Sequence, residues 1–384
     1  MKKIIVLLAT MLLVVAGLTA CTTKDKGTIK LGVNVDLTGE AAVYGTPEKK
    51  AIEMAVKEIN AAGGILGKQV EPIYYDTKSD TAESTSNATK LATVDKVVAI
   101  IGAAISGTTM AAGPVANQYK VPMITPSGSN AKVTNDGTTV YPYVYRACFI
   151  DPFQGLVIAN FASTTLNAKK AAVIGSSSSD YAKDLASIFA TQFAKNGGSV
   201  VATEYYTDTD TDFNAILTKL QNAGDFDVLF VADYAVRAGL IIGQARTAGI
   251  MVPIVGPDGF ESPDLVALAG GADKINDVYF STHFSALSDD QKVKDFIAAY
   301  KVSTGEAPSA LSALAYDTVY MLKKAIENAN STDPVKVNTA LAALKDFAGI
   351  TGKISFDDMH NPIKSAIIVK LVNGEQASAV VVNP

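Results

Sequence analysis

Two short polar turns, Ser106-Gly107-Thr108-Thr109 and Thr125-Pro126-Ser127-Gly128-Ser129-Asn130, each follow an apolar run with the character of a buried strand. A strand that ends in small hydroxyl residues and then opens a helix presents unpaired backbone N–H groups and the positive end of a dipole, which suits a small anion such as a carboxylate. Ser106 offers both a hydroxyl and an N–H at such a start, and it also fits the plainer role of an N-cap. Asp258, in Gly256-Pro257-Asp258-Gly259, follows a further apolar run; beside glycine, an aspartate is first of all a turn former. Among the 15 tyrosines, Tyr44, Tyr181 and Tyr234 are set where strands give way to the next element. Each pairs an apolar ring with a polar tip.

Covalent and metal chemistry find little support. The two histidines, His283 and His360, are far in sequence from the turns, and no His, Cys and Asp cluster has the spacing of a metal site or a nucleophile triad. Each histidine reads as structural or exposed. Gly63-Gly64-Ile65-Leu66-Gly67-Lys68-Gln69 has Ala62 and Gln69 where a phosphate loop needs Gly and Ser or Thr, and it ends a helix instead of opening one. The stretch from Gly102 to Gly107 lacks dinucleotide-binding spacing. No cofactor is expected.

The elements that must position these residues alternate between strand and helix, the pattern of a doubly wound parallel sheet. Strands are expected over 29–36, 69–75, 97–101 and 121–124, with helices capped at Thr46-Pro47, over 81–93 and from Ser106. A second run of the same grammar follows the strand at 143–147: helix from Pro152, strand 171–174, helix 181–195, strand 199–205, helix 213–222, strand 228–231, helix 236–247 and strand 254–255. Two tandem α/β units imply two lobes with a cleft between them. In open sheets, ligands bind beyond the carboxyl ends of the strands, where both turns lie. A third block, with helices near 289–300, 309–328 and 334–344 and strands at 352–356 and 366–372, is expected to return and complete both lobes.

Lys2 and Lys3 precede an apolar run too short to span a bilayer, and Leu18-Thr19-Ala20-Cys21 has the form of a lipoprotein cleavage site. The expectation is a signal peptide over 1–20, a lipidated Cys21 and a polar tether over 21–27, placing the protein on the outer face of a cell membrane, more readily in a bacterium without an outer membrane. Residues 1–20 hold two of the 33 basic residues and none of the 38 acids, so their removal widens the acidic excess from five to seven. That balance argues against nucleic acid as a partner. Cys148, the other of two cysteines, reads as a small buried hydrophobe.

Asp36-Leu37-Thr38-Gly39, Val43-Tyr44-Gly45, Glu58-Ile59-Asn60-Ala61-Ala62-Gly63-Gly64-Ile65-Leu66-Gly67, Ile101-Gly102 leading to Ser106, and Tyr316-Asp317 together resemble the branched-chain amino-acid binding proteins of ABC importers. The likeness runs in order through essentially the whole chain beyond the leader. It implies a type I periplasmic-binding-protein fold, two doubly wound parallel-sheet lobes with a three-crossing hinge, the lobes being 28–147 plus 282–353 and 148–281 plus 354–384. It also implies a monomer that closes around a neutral aliphatic amino acid and delivers it to a membrane permease driven by separate ATPase subunits. By the resemblance, Ser106, Gly128 and Ser129 hold the carboxylate. The Gly128 carbonyl, the Ser129 hydroxyl and Asp258 meet the ammonium, and Tyr44, Tyr181 and Tyr234 line the pocket. The chain departs from the family in having Lys78 and Ile105 where some members form a disulfide, Leu311 near a position often aromatic, and Ser129 where threonine is usual. A protein of this fold serving another amino acid, a small amide or carboxylate, or a signalling receptor remains the competing expectation.

Overall fold

The computed structural model describes residues 27–207 and 209–383. The expected leader, Cys21 and residues 22–26 of the tether lie outside the described residues. The first half runs β1 (Thr28–Val35), α1 (Ala42–Ala61), β2 (Gln69–Asp76), α2 (Thr81–Lys90), β3 (Ala99–Gly102), α3 (Ser106–Tyr119), β4 (Met123–Thr125) and β5 (Val144–Arg146). Its strands pair in parallel in the order β2-β1-β3-β4-β5.

The second half repeats this grammar with α4 (Asp151–Thr164), β6 (Lys170–Ser176), α5 (Asp180–Lys195), β7 (Ser199–Tyr206), α6 (Asn214–Asn222), β8 (Val228–Ala232), α7 (Ala235–Thr247), β9 (Ile254–Gly256), the single turn α8 (Leu265–Leu268) and β10 (Val278–Thr282). Strands β7-β6-β8-β9-β10 pair in parallel in the same relative order as the first sheet. That order reverses the winding between β1 and β3, and again between β6 and β8, so at each place the loops leaving the strands part and open a crevice.

The remaining chain serves both halves. Helices α9 (Gln291–Thr304), α10 (Ala310–Ala329) and α11 (Pro334–Ala342) return to the first sheet, where Leu314, Val319, Leu322 and Ile326 of α10 share a core with Ile52, Val56 and Ile59 of α1. The small hairpin β11 (Phe347–Gly349) and β12 (Gly352–Ile354) follows, then β13 (Ala366–Val372) and β14 (Glu375–Val382) join the second sheet. The backbone thus crosses between the halves after β5, after β10 and before β13. Each face of the second sheet carries its own core; on one, Leu185, Phe189 and Phe193 recur every four residues along α5, and the Phe189 ring stacks on Phe230 at 4.2 Å.

Three expectations need correction. Helix α1 begins at Ala42 and not at Thr46, with Pro47 inside it. The reason is Gly45: a Cβ there would lie 2.1 Å from the Asp36 carbonyl oxygen, and its absence lets the first turn ride over the end of β1. Tyr44 therefore stands on that turn, and not on a loop. Strands β10 and β14 were not anticipated, the first being a five-residue run and the second an edge strand whose side chains are mostly exposed. Finally, the second sheet is not wholly parallel, because β13 and β14 extend it antiparallel.

Candidate functional site

On the first half, Asp36 at the end of β1 fixes the loop that leads into α3. Its Oδ2 accepts from the Ala104 N–H at 2.9 Å and the Thr108 hydroxyl at 3.3 Å, and its Oδ1 from Thr77 Oγ1 at 2.5 Å. The two polar turns are tied to each other, since the Ser106 hydroxyl accepts from the Asn130 N–H at 3.1 Å. Ser127 Oγ lies 2.6 Å from the Ala104 carbonyl and 2.5 Å from Glu48 Oε1. A carbonyl only accepts, so the single hydroxyl hydrogen goes to Ala104, and the second contact requires a proton on Glu48. Burial pushes the Glu48 carboxyl up to about 8, in keeping with that arrangement.

On the second half, Asp258 follows β9 and is well supplied with donors. Tyr181 gives its hydroxyl to Oδ1 at 2.8 Å, Gln154 gives Nε2–H to Oδ1 at 3.1 Å, and His283 Nε2 stands 3.2 Å from Oδ2. The same Tyr181 hydroxyl accepts from the Gly259 N–H at 2.9 Å. Burial lowers the His283 pKa to about 4, so the ring is neutral at pH 7 and donates to Asp258; its face stacks on Phe149 at 3.8 Å. Gln154 is a beam between two acids: its Nε2 also donates to Asp151 Oδ1 at 2.7 Å, while its Oε1 accepts from the Asp258 N–H and the Ser281 hydroxyl.

Tyrosines join the two halves. The Tyr44 hydroxyl, from α1, accepts from the Ala235 N–H at 2.6 Å and donates to the Gly259 carbonyl at 2.5 Å. Tyr234 brings its hydroxyl to the Ser106 N–H at a long 3.4 Å, and its ring stacks on Tyr181 with centroids 4.4 Å apart. Asn130 donates to Asp184 at 2.9 Å, Glu40 pairs with Arg237, and Glu261 accepts from the Ala310 N–H at the start of α10. Together these contacts enclose a small cavity walled by Tyr44, Ser127, Ser129, Tyr181, Asp258 and Leu311 among others. A larger cavity of about 590 Å³ opens at the mouth between Lys78, Ile105, Met110, Asp180 and Arg237.

Tyr44, Ser129, Tyr181, Tyr234 and Asp258 thus meet on one cavity, and Ser106 adjoins it through its bond to Tyr234. Gly128 does not join them. Its carbonyl accepts from Arg146 Nη1 at 3.1 Å, which leaves one lone pair of that oxygen, and its N–H donates to Thr125 Oγ1 at 2.9 Å, while Ser127 lies on the wall beside Ser129. Residue spacing missed Glu48, Asp151, Gln154 and His283. An aspartate opening a helix in Asp151-Pro152, with Gln154 on the same turn, was the one local signal; His283 comes to Asp258 only because β10 lies beside β9. Cys148 is buried and free, as its composition suggested.

Residues 28–376 match the family model described as periplasmic binding protein. The leucine-, isoleucine-, valine-, threonine- and alanine-binding protein of Pseudomonas aeruginosa is 32% identical over 332 residues, 86% of each chain. Among solved structures, the branched-chain amino acid transporter substrate binding protein LivJ of Streptococcus pneumoniae, in complex with isoleucine, is 42% identical with a TM-score of 0.87 over 93% of this chain and all of that one. The leucine binding protein LivK of Thermotoga maritima is 32% identical, with a TM-score of 0.86 over 93% and 99% of the two chains. With the doubled sheet order and the residues gathered at the strand ends, these likenesses show that the chain belongs to the periplasmic binding protein family, in the group whose named relatives are Leu/Ile/Val-binding proteins.

Proposed function

We propose that the protein is an extracytoplasmic solute-binding subunit that closes its two halves around a neutral aliphatic, branched-chain amino acid and delivers it to the permease of an ABC importer. The carrying observation is the division of labour across the cleft: small hydroxyl residues at a helix start on one half, and the carboxylate Asp258 on the other. In this reading Ser106 and Ser129 hold the ligand carboxylate through hydroxyl and backbone N–H groups, where the dipole and charge-assisted hydrogen bonds replace a cationic side chain. Asp258, with the Ser129 hydroxyl, receives the ammonium, because a charge enclosed in a low-dielectric cleft needs a counter-charge. Tyr44, Tyr181, Tyr234 and Leu311 form the wall for the side chain.

The lobes that move are taken to be 28–147 with 282–353, and 148–281 with 354–384. A lipid on Cys21 would hold the monomer at the outer face of the membrane, in keeping with the lipobox and with the lack, among the described residues, of any helix long and apolar enough to cross a bilayer. The protein binds and carries out no reaction; ATP is hydrolysed by other subunits. Thermal unfolding in the presence of each of the twenty amino acids tests the reading. A true ligand at 100 times its Kd adds about 2.7 kcal/mol of stability, and a non-ligand adds none. No shift with leucine, isoleucine or valine overturns the branched-chain assignment.

A further inference from the structure

His283 has a second edge. Its Nε2–H goes to Asp258 in the cleft, so the neutral ring keeps a bare lone pair on Nδ1, and that atom is buried with no partner among the described residues. A cavity of about 490 Å³ is lined by His283 but not by Asp258, so the ring stands as a partition between it and the cleft. Lys364 lines the same cavity and is itself buried. Its Nζ donates to Thr351 Oγ1 at 2.8 Å and to the Ala147 carbonyl at a long 3.4 Å, which leaves its third hydrogen unclaimed among the described residues. Asp317, the acid whose charge supports it, spends its carboxylate on the Ile350 and Thr351 N–H groups and the Thr351 hydroxyl. Burial brings the Lys364 ammonium down to about 8, so it is charged at pH 7, and that charge helps to hold the His283 ring neutral. A buried cation short of a counter-charge and a buried acceptor short of a donor thus share one cavity.

Ala147, His283 and Lys364 come one from each crossing of the backbone, the first after β5, the second after β10 and the third before β13. Phe284, Val293, Ile350 and Ile363 give the cavity apolar walls, and Ile363, 59% exposed, stands at its mouth. We propose that this hinge cavity binds a small aliphatic acid that also bears a hydroxyl, with the carboxylate on Lys364, the hydroxyl donated to His283 Nδ1 and the carbon chain against the apolar walls. The carboxylate supplies the missing counter-charge through a charge-assisted hydrogen bond. The donor is an uncharged hydroxyl because an ammonium would stand beside that of Lys364, which sets this site apart from one for amino acids. An occupant joins the second crossing to the third, and by donating to Nδ1 it polarises the ring and strengthens the Nε2–H bond to Asp258.

Calorimetric titration with 3-hydroxybutyrate tests the site, beside butyrate, which lacks the donor, and 1,3-butanediol, which lacks the charge. Each comparison compound should bind more weakly by about tenfold or more. Imidazole nitrogen NMR of the unmodified protein locates the contact. His360 gives its Nδ1–H to the Val144 carbonyl at 3.0 Å, so the two histidines hold opposite tautomers and are told apart. The ligand should move the bare Nδ1 resonance of His283 and leave His360 in place. Lys364→Met should lower affinity by about tenfold or more, and Ile363→Glu, which sets a carboxylate at the exposed mouth, should lower it as well. Neither residue lines the cleft. Equal affinity for butyrate, a His283 Nδ1 resonance unmoved at saturation, or no measurable binding of 3-hydroxybutyrate overturns the proposal. Affinity unchanged by Ile363→Glu does so too, even where Lys364→Met fails to fold. None of these measurements needs an amino acid in the cleft, so their failure leaves the functional reading above untouched.

Discussion

Tyr44 donates its hydroxyl to the Gly259 carbonyl across the cleft at 2.5 Å, next to Asp258 and within one turn of the start of α1. Because the same oxygen accepts from the Ala235 N–H, a single side chain of the first half holds two backbone groups of the second. Its burial, at 2% exposure, raises the phenol pKa, so it is a donor throughout the working range of pH.

Tyr44→Phe keeps the ring and removes both bonds. Two polar groups are then left unsatisfied only when the halves meet, so closure should weaken while the fold is retained. We expect about a tenfold rise in Kd, or about 1.4 kcal/mol, measured by calorimetry, with an unchanged melting temperature in the absence of ligand.

Asp258→Ala should weaken amino-acid binding at least tenfold, about 1.4 kcal/mol or more, by removing the ammonium's partner and stranding Tyr181, Gln154 and His283. Ser106→Ala acts at the other end of the ligand. It should cost the free amino acid more than its amide, and equal losses for the two would contradict the carboxylate role.

Glu48 gives a prediction about stability and pH. Its pKa rises from 4.5 to about 8 on folding, so between those values the folded chain binds the extra proton and stability is lost as pH rises. Glu48→Gln carries its hydrogens permanently and should remove that loss, up to about 1.4 kcal/mol per pH unit, seen as a melting temperature that declines less between about pH 5 and pH 8 than that of the unmodified protein.

Gly45→Ala places a methyl against backbone, 2.1 Å from the Asp36 oxygen. The first turn of α1 must lift, carrying Tyr44 with it. Loss of several degrees in melting temperature and of most binding affinity is expected, and Gly107→Ala, where an added Cβ meets nothing within 4 Å, serves as the comparison.

Much of this arrangement was readable from local pattern, because Ser106, Ser129 and Asp258 each end an apolar run, and a parallel strand has to deliver its next residues to the rim of the sheet. What escaped was set by pairing between distant segments. His283 reaches Asp258 through the neighbouring strands β9 and β10, 25 residues apart in the chain. Glu48 falls on the buried stripe of α1, four residues from both Tyr44 and Ile52, where a carboxylate looks out of place until its bond to Ser127, 79 residues away, is seen. Nor does anything near Gly128 in sequence announce that Arg146, 18 residues on, will donate to its carbonyl.

The three crossings of the backbone have a mechanical consequence. One connecting strand can twist, slide and bend, and two still allow shear between the bodies they join. Three side by side suppress twist and slide and leave bending as the compliant direction. On the proposed closure, bending alone would carry a binding cycle along a single arc, returning Tyr44 to the same carbonyl each time, so the outer surface offered to a permease would have two reproducible shapes.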